Sequence, residues 1–405
     1  MNSLKKIHIL MIFILAGAYN AVYSLVFMKS IYYQLMQDGL GLTHFRLGQL
    51  YSVFGMTSMV SYLLGAYFLS RFKCWKLVSV SLLITGALTM YLAAMPPYPV
   101  MAVIFGVVGF LLGAVFYSAH LQVLHNIGAP YCQGTVFSLF YVFNGLMGIV
   151  FASAGLGLTA LDAPDPALMR LLFLFFGIIN IIIALFAAVI LRKLDIDPAE
   201  QMPVRLESVR HLAKNRRLWL VIAIVFTNYI AFSSLNYILL FLESMYAVPA
   251  AFMDVLLIMR TYLIFIIAGP IAGKITDRFR SASRLMKYSF LLNAAVLEVM
   301  LLLGRFSYII MLLCILLSCL FINMGKSMAL LTVDEAGISP AFYGIAVSFI
   351  SFCAYSPDAF YYSMSGAILD LSPENGYSIV FLIVVVVSLA GFILSRFLEK
   401  SDRTQ

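Results

Sequence analysis

The chain has 405 residues, 63% of them apolar and only 11% charged, with a formal net charge of +8 and a mean hydropathy of +1.00. Too few polar residues remain to clothe a water-soluble domain, so the composition is that of a polytopic membrane protein. It also excludes a nucleic-acid binder, whose basic residues would gather on one soluble face.

Crossing a hydrocarbon layer of about 30 Å takes roughly 20 apolar residues as a helix. The apolar runs are too long and too little alternating for barrel strands. In chain order they predict twelve spans: 7–31, 46–69, 76–95, 98–124, 133–157, 168–192, 218–243, 249–275, 284–304, 307–331, 341–369 and 376–397. The apolar stretch of the first is too long for a signal peptide and lacks a small-x-small cleavage site, so it is expected to stay as a helix. After the sixth span comes a polar connection with Pro198 and Pro203. The expected organisation is an N-terminal six-helix bundle (1–192), a cytoplasmic linker (193–217) and a C-terminal six-helix bundle (218–405).

Lys and Arg set the orientation. With the N-terminus in the cytoplasm, 20 of the 26 basic residues fall on the cytoplasmic side, seven of them between Arg192 and Arg217. Only Arg46, Arg170 and Arg305 fall outside, while Lys29, Arg260 and Lys326 lie within spans. Both termini are therefore expected in the cytoplasm. Cys74, Cys132, Cys314, Cys319 and Cys353 form no pairing framework and read as small packing residues.

A short basic turn occurs twice, ending Ser70-Arg71-Phe72-Lys73 and, after Gly273, Asp277-Arg278-Phe279-Arg280. The two arginines are 207 residues apart (278 − 71), about half the chain, which marks a tandem repeat. In the second copy Gly273 is expected to allow close helix approach, with Asp277 and Arg278 ion-paired at the membrane surface; in the first, Ser70 replaces the acid. The turn resembles the loop between the second and third helices of the major facilitator superfamily and its counterpart in the second half. The resemblance implies an all-α membrane fold of two pseudo-symmetric six-helix bundles and a gating role for Arg71, Gly273, Asp277 and Arg278. A second stretch, with Asp334-Glu335-Ala336-Gly337, Pro340, Ser356-Pro357-Asp358 and Gly366 to Asp370, resembles the bacterial YihN-type permeases of that superfamily. It implies a multi-pass protein of the bacterial cytoplasmic (inner) membrane.

Polar residues inside spans are the candidate site, because a charge at bilayer depth costs at least about 2.5–3.5 kcal/mol and persists when paired or functional. Arg260 lies eleven residues after Pro249, roughly 16 Å into the membrane at 1.5 Å per residue. Its planar fork suits a carboxylate, sulfonate or phosphate; the alternative is a structural ion pair with Asp358. Asp358 follows Pro357 at an expected kink near Tyr355, Tyr361 and Tyr362, where it can carry a proton or partner Arg260. Lys29 sits near the outer end of its span, so it either snorkels to the interface or binds solute. Lys326 either reaches the cytoplasmic surface or faces the cavity. Removing the repeat offset (326 − 207) places its mate at 119, beside His120. In the superfamily the first, fourth, seventh and tenth helices line the cavity, so Lys29, His120 and Lys326 would make it electropositive. Tyr19, Asn20, Tyr23, Asn144, Asn228, Asn236 and Tyr237 offer amides and phenols that serve either a polar solute or helix-to-helix bonding.

These residues predict a secondary transporter of a small organic anion working by alternating access, through proton symport or anion exchange. A proton-coupled exporter of amphipathic compounds is the alternative, in which 33 Phe and 21 Met line an adaptable cavity. No HExxH, paired acids or Ser-His arrangement points to an enzyme. The expected partners are a small-molecule substrate, protons and the lipid bilayer, with no cofactor, metal or nucleic acid, for a chain acting as a monomer.

Overall fold

A computed structural model describes residues 6–128, 133–194, 212, 214–338 and 343–402, and every regular element among them is helical. In an apolar medium this follows from the backbone, since a helix satisfies its N–H and C=O groups within one segment. Among the described residues nine helices are long and apolar enough to cross a membrane, ten if Lys6–Val22 and Ser24–Ile31, bent by 64°, count as one span. The other two expected spans are interrupted. Residues 46–69 fall on His44–Ser61, a 3-10 turn at Tyr62–Leu64 and Gly65–Arg71; residues 341–369 fall on Tyr343–Ala354, a 3-10 turn at Ser356–Ala359 and Tyr361–Leu371. Pro357 accounts for the later break, having no N–H to donate and a ring that crowds the preceding turn.

The chain divides into two units, Met1–Pro203 and Val204–Gln405. Of the expected linker, residues 195–211 and 213 lie outside the described residues.

In the first unit the helices Cys74–Leu92 and Asp165–Ile190 meet through glycines. A Cβ on Gly86 would stand 2.9 Å from the Gly177 carbonyl oxygen, and one on Gly177 would stand 2.9 Å from that of Gly86. Small residues let backbones approach where lipid tails are as apolar as any side chain, so that dispersion drives the contact. Asn180 fastens the same helix to the first one, its Nδ2 donating to the Ala21 carbonyl at 2.7 Å.

In the second unit one amide joins three helices. Asn293, on Ala282–Leu303, donates to Ser388 of Gly376–Asp402 at 3.0 Å and accepts from Ser318 of Tyr308–Met328 at 2.7 Å. Helix starts carry local caps: Asn215 accepts from Arg217 and Leu218, Ser281 from Arg284 and Ser307 from Ile310. Each satisfies a first-turn N–H that has no partner within its helix. One helix of each unit also widens into a π-helical stretch, Leu111–Tyr117 and Met259–Leu263. Such stretches cost regular hydrogen bonds and recur at functional positions.

Candidate functional site

The helix Arg216–Met245 organises the charged residues of the second unit. Tyr229, Phe232 and Asn236 recur at i, i+3 and i+7, so they share one face. Tyr229 donates to Asp358 Oδ2 at 2.6 Å, and its ring lies 4.7 Å from that of Tyr355. Phe232 lies beneath Lys326, whose Nζ is 3.0 Å from the ring centroid and 6.0 Å from that of Tyr229. Asn236 donates to the Tyr362 hydroxyl at 3.2 Å. The π-helical stretch holding Arg260 aims its guanidinium at this helix: Nη1 donates to the Leu235 carbonyl, and Nη2 lies 3.0 Å from Thr261 Oγ1. Arg260 is buried, at 5% exposure.

Lys326, Asp358 and Arg260 thus attach to one helix within two turns. Arg260 is fastened to Leu235 and Asp358 to Tyr229, six residues apart, or roughly 9 Å along the axis. Lys326 lies on the aromatic faces of Phe232 and Tyr229. A cation over an aromatic face is worth about 0.5–1 kcal/mol where water reaches it and about 2 where it does not, and Lys326 and Phe232 are both part-buried.

The amides expected in the seventh span divide in role. Asn236 belongs to this face, whereas Asn228 is buried against Gly325, where a Cβ would come 2.5 Å from its Nδ2. Asn228 therefore sits at the close crossing with Tyr308–Met328. Tyr237 is fully buried, its ring 6.5 Å from that of Tyr361.

In the first unit the corresponding residues build an aromatic wall. Tyr19 stacks on Tyr23 at 4.4 Å and lies 5.4 Å from His120, which stacks on Phe116 at 5.3 Å with planes 7° apart. Phe140 packs on both Tyr19 and His120. His120 Nδ1 is 2.8 Å from the Tyr117 carbonyl oxygen, the last residue of the π-helical stretch. A carbonyl only accepts, so Nδ1 carries the proton and Nε2 is left to the aromatic side. Asn20 turns away from this wall, donating to Asn144 at 2.9 Å (main chain) and 2.6 Å (side chain), a bond between the first and fifth spans.

Lys29 departs from the snorkelling alternative. It is 6% exposed, with Nζ over the Tyr51 ring at 4.6 Å, on the helix that follows the 64° bend after Val22.

The turn residues depart from expectation too. A Cβ on Gly273 would meet no atom within 4 Å, so no close approach occurs there. Asp277 and Arg278 are exposed and form no ion pair among the described residues. Successive helical positions point about 100° apart, which keeps their side chains from facing each other. Arg71 lies over its own helix neighbour Tyr67 at 4.7 Å.

Polar fastening on that side instead involves two acids to which the sequence assigns no role. Glu335 accepts from the backbone N–H of Ala282 (2.5 Å) and Ser283 (3.1 Å), capping Ala282–Leu303 from outside. Glu399 accepts from Arg284 (2.9 Å) and Lys287 (2.5 Å). Tyr229 and Phe232 are likewise absent from the expected site. The available signal was their i, i+3 spacing with Asn236 on a helix already marked as cavity-lining.

No family model matches the chain. It is 27% identical over 392 residues to inner membrane protein YihN of Escherichia coli (strain K12), which covers 94% of this chain and 93% of that one. Among solved structures it superposes on the nucleoside transporter NupG with a TM-score of 0.72 at 15% identity, covering 99% of both chains, and on a mutant form of NupG at 0.73 and 16%, covering 97% and 99%. A bacterial homologue of the human lysosomal transporter Spinster, inward-facing and unoccupied, matches at 0.69 and 14%, covering 98% of this chain and 96% of that one. Likeness at such identity establishes the fold.

Proposed function

From a chain that has the major facilitator fold and resembles the YihN-type permeases, we propose a secondary transporter that moves a small organic anion across the bacterial cytoplasmic membrane. The solute is a carboxylate, sulfonate or phosphate ester, carried by alternating access with proton symport or anion exchange. The observation that carries the reading is the pair of cations on one helix, Arg260 at Leu235 and Lys326 at Phe232. Holding the buried Arg260 guanidinium away from water is costly unless an anion repays it, and the part-buried Lys326 lies on the same helix. Arg260 offers a bidentate fork and Lys326 a point charge with three donors. Asp358 is the proton carrier or resident counter-anion, and both termini are cytoplasmic.

The test is thermal stabilisation of the detergent-purified protein by carboxylates, sulfonates, phosphate esters, amino acids, sugars and nucleosides, repeated with Arg260→Ala and Lys326→Ala. Stabilisation by anions alone, lost in the variants, supports the reading. Stabilisation by neutral or cationic compounds that survives both substitutions returns the two cations to structural roles.

A second reading rests on the aromatic wall of Tyr19, Tyr23, Phe116, His120 and Phe140. Stacked rings favour a planar or amphipathic solute, and the fold is shared with a nucleoside transporter. Nucleoside stabilisation abolished by Tyr19→Ala and unaffected by Arg260→Ala would select it.

A further inference from the structure

Tyr229 touches both Asp358 and Lys326. Its hydroxyl donates to the carboxylate at 2.6 Å, in the short range of charge-assisted bonds. Its ring, with that of Phe232, forms the aromatic seat of the ammonium. Asp358 enters on a 3-10 turn between two helices, Tyr343–Ala354 and Tyr361–Leu371, so its position is set by a break and not by a continuous helix. Tyr355, at the start of that break, packs on the Tyr229 ring at 4.7 Å. An aromatic face attracts an ammonium from one side and leaves donors pointing away from the ring. Those donors suit a carboxylate of the protein or an anion from outside, and two anions at one cation compete.

We propose that Tyr229 is a positioning residue for anion recognition at Lys326: Asp358 is the protein's own competitor for this ammonium, and the Tyr229 hydroxyl, by bonding the carboxylate, weakens that competition with an incoming anion. The inference rests on reading the chain as an anion transporter. A phenylalanine would seat the ammonium equally well, so the hydroxyl matters for the carboxylate alone. Removing the hydroxyl weakens anion binding, because the carboxylate has no bond to rest on and competes harder. Removing the carboxylate's charge tightens anion binding and makes the hydroxyl irrelevant.

The experiment titrates benzoate, benzenesulfonate and phenyl phosphate against the full-length protein at constant ionic strength, in wild type, Tyr229→Phe, Asp358→Asn, the double variant and Lys326→Ala. The expected result is affinity about tenfold weaker in Tyr229→Phe, the scale of one hydrogen bond to a charged group, and several-fold tighter in Asp358→Asn. The double variant should equal Asp358→Asn, and Lys326→Ala should not bind. A merely structural Tyr229 would give additive losses, which overturns the inference while leaving the transport reading intact, as does unchanged affinity in Tyr229→Phe. If no probe binds wild type, or if Lys326→Ala binds normally, the anion site itself is wrong at this position. Should Tyr229→Phe fail to fold, weaker or unchanged binding in Asp358→Asn overturns the inference by itself.

Discussion

Arg260 donates to the main-chain carbonyl of Leu235, so a guanidinium buried on one helix is fastened to the backbone of another. The carbonyl takes one donor and carries no net charge, which separates the geometric and electrostatic roles of this side chain. Arg260→Lys keeps the charge and loses the fork; Arg260→Ala loses both. Anion-induced stabilisation should vanish in Arg260→Ala and persist at roughly tenfold lower affinity in Arg260→Lys. Titrations unchanged in both variants would remove Arg260 from the site.

Gly86 and Gly273 should respond oppositely to alanine. At Gly86 the added methyl meets the Gly177 carbonyl and the Asn180 Cβ at 2.9 Å, and overpacking of this kind costs about 1–3 kcal/mol. At Gly273 there is open space, so helix propensity alone acts, worth up to about 1 kcal/mol in favour of alanine. Thermal unfolding in detergent should rank Gly273→Ala at or above wild type and Gly86→Ala below it. A Gly273→Ala protein that is stable yet inactive in transport would show that the glycine serves a different conformation.

Asn293 holds the Ser388 and Ser318 hydroxyls of two neighbouring helices. Hydrogen bonds between membrane helices average about 0.6 kcal/mol and reach about 1.7. Asn293→Leu should therefore lower stability by about 1–3 kcal/mol, more than Ser388→Ala or Ser318→Ala alone. A loss confined to one serine variant and equal to that of Asn293→Leu would mean that only one of the two bonds matters.

Glu399 links Arg284 and Lys287, with side chains only 27% and 14% exposed against its own 11%. Glu399→Gln retains an acceptor but leaves two partly buried cations without their counter-charge. A loss of about 1–2 kcal/mol is expected, larger than a surface pair would show, and largely insensitive to added salt because water reaches the site poorly. A melting temperature equal to wild type, or a loss that disappears in high salt, would reduce the contact to an ordinary surface pair.

The spans were legible because hydrocarbon leaves the backbone no alternative, and a run such as residues 168–192 declares itself by length alone. Arg260, Lys326 and Asp358 were legible for a related reason: a charge inside such a run is rare enough to mark itself. Their partners were not. Tyr229 and Phe232 are two among 23 Tyr and 33 Phe, and aromatic residues also fill lipid-facing surfaces, so composition does not separate a cation's seat from a bilayer contact. Glu399 reaches partners more than 100 positions away, and no local spacing announces such a pair.

The repeated basic turn shows the converse. Its recurrence at half the chain length pointed to a two-part fold, but close approach at Gly273 and an Asp277–Arg278 ion pair depended on helix packing and rotation, and among the described residues a Cβ on Gly273 meets no atom within 4 Å and the two charges form no ion pair. Sequence alone determined that this chain is a helical membrane protein and which of its residues are expensive to bury, since both follow from transfer of single groups out of water. Only the tertiary structure decided that Arg260 meets Leu235, that Asp358 meets Tyr229 and that Lys326 lies on Phe232. Those pairings depend on helix rotation and on local departures from the α-helix, at Met259–Leu263 and Ser356–Ala359, which packing between distant segments sets.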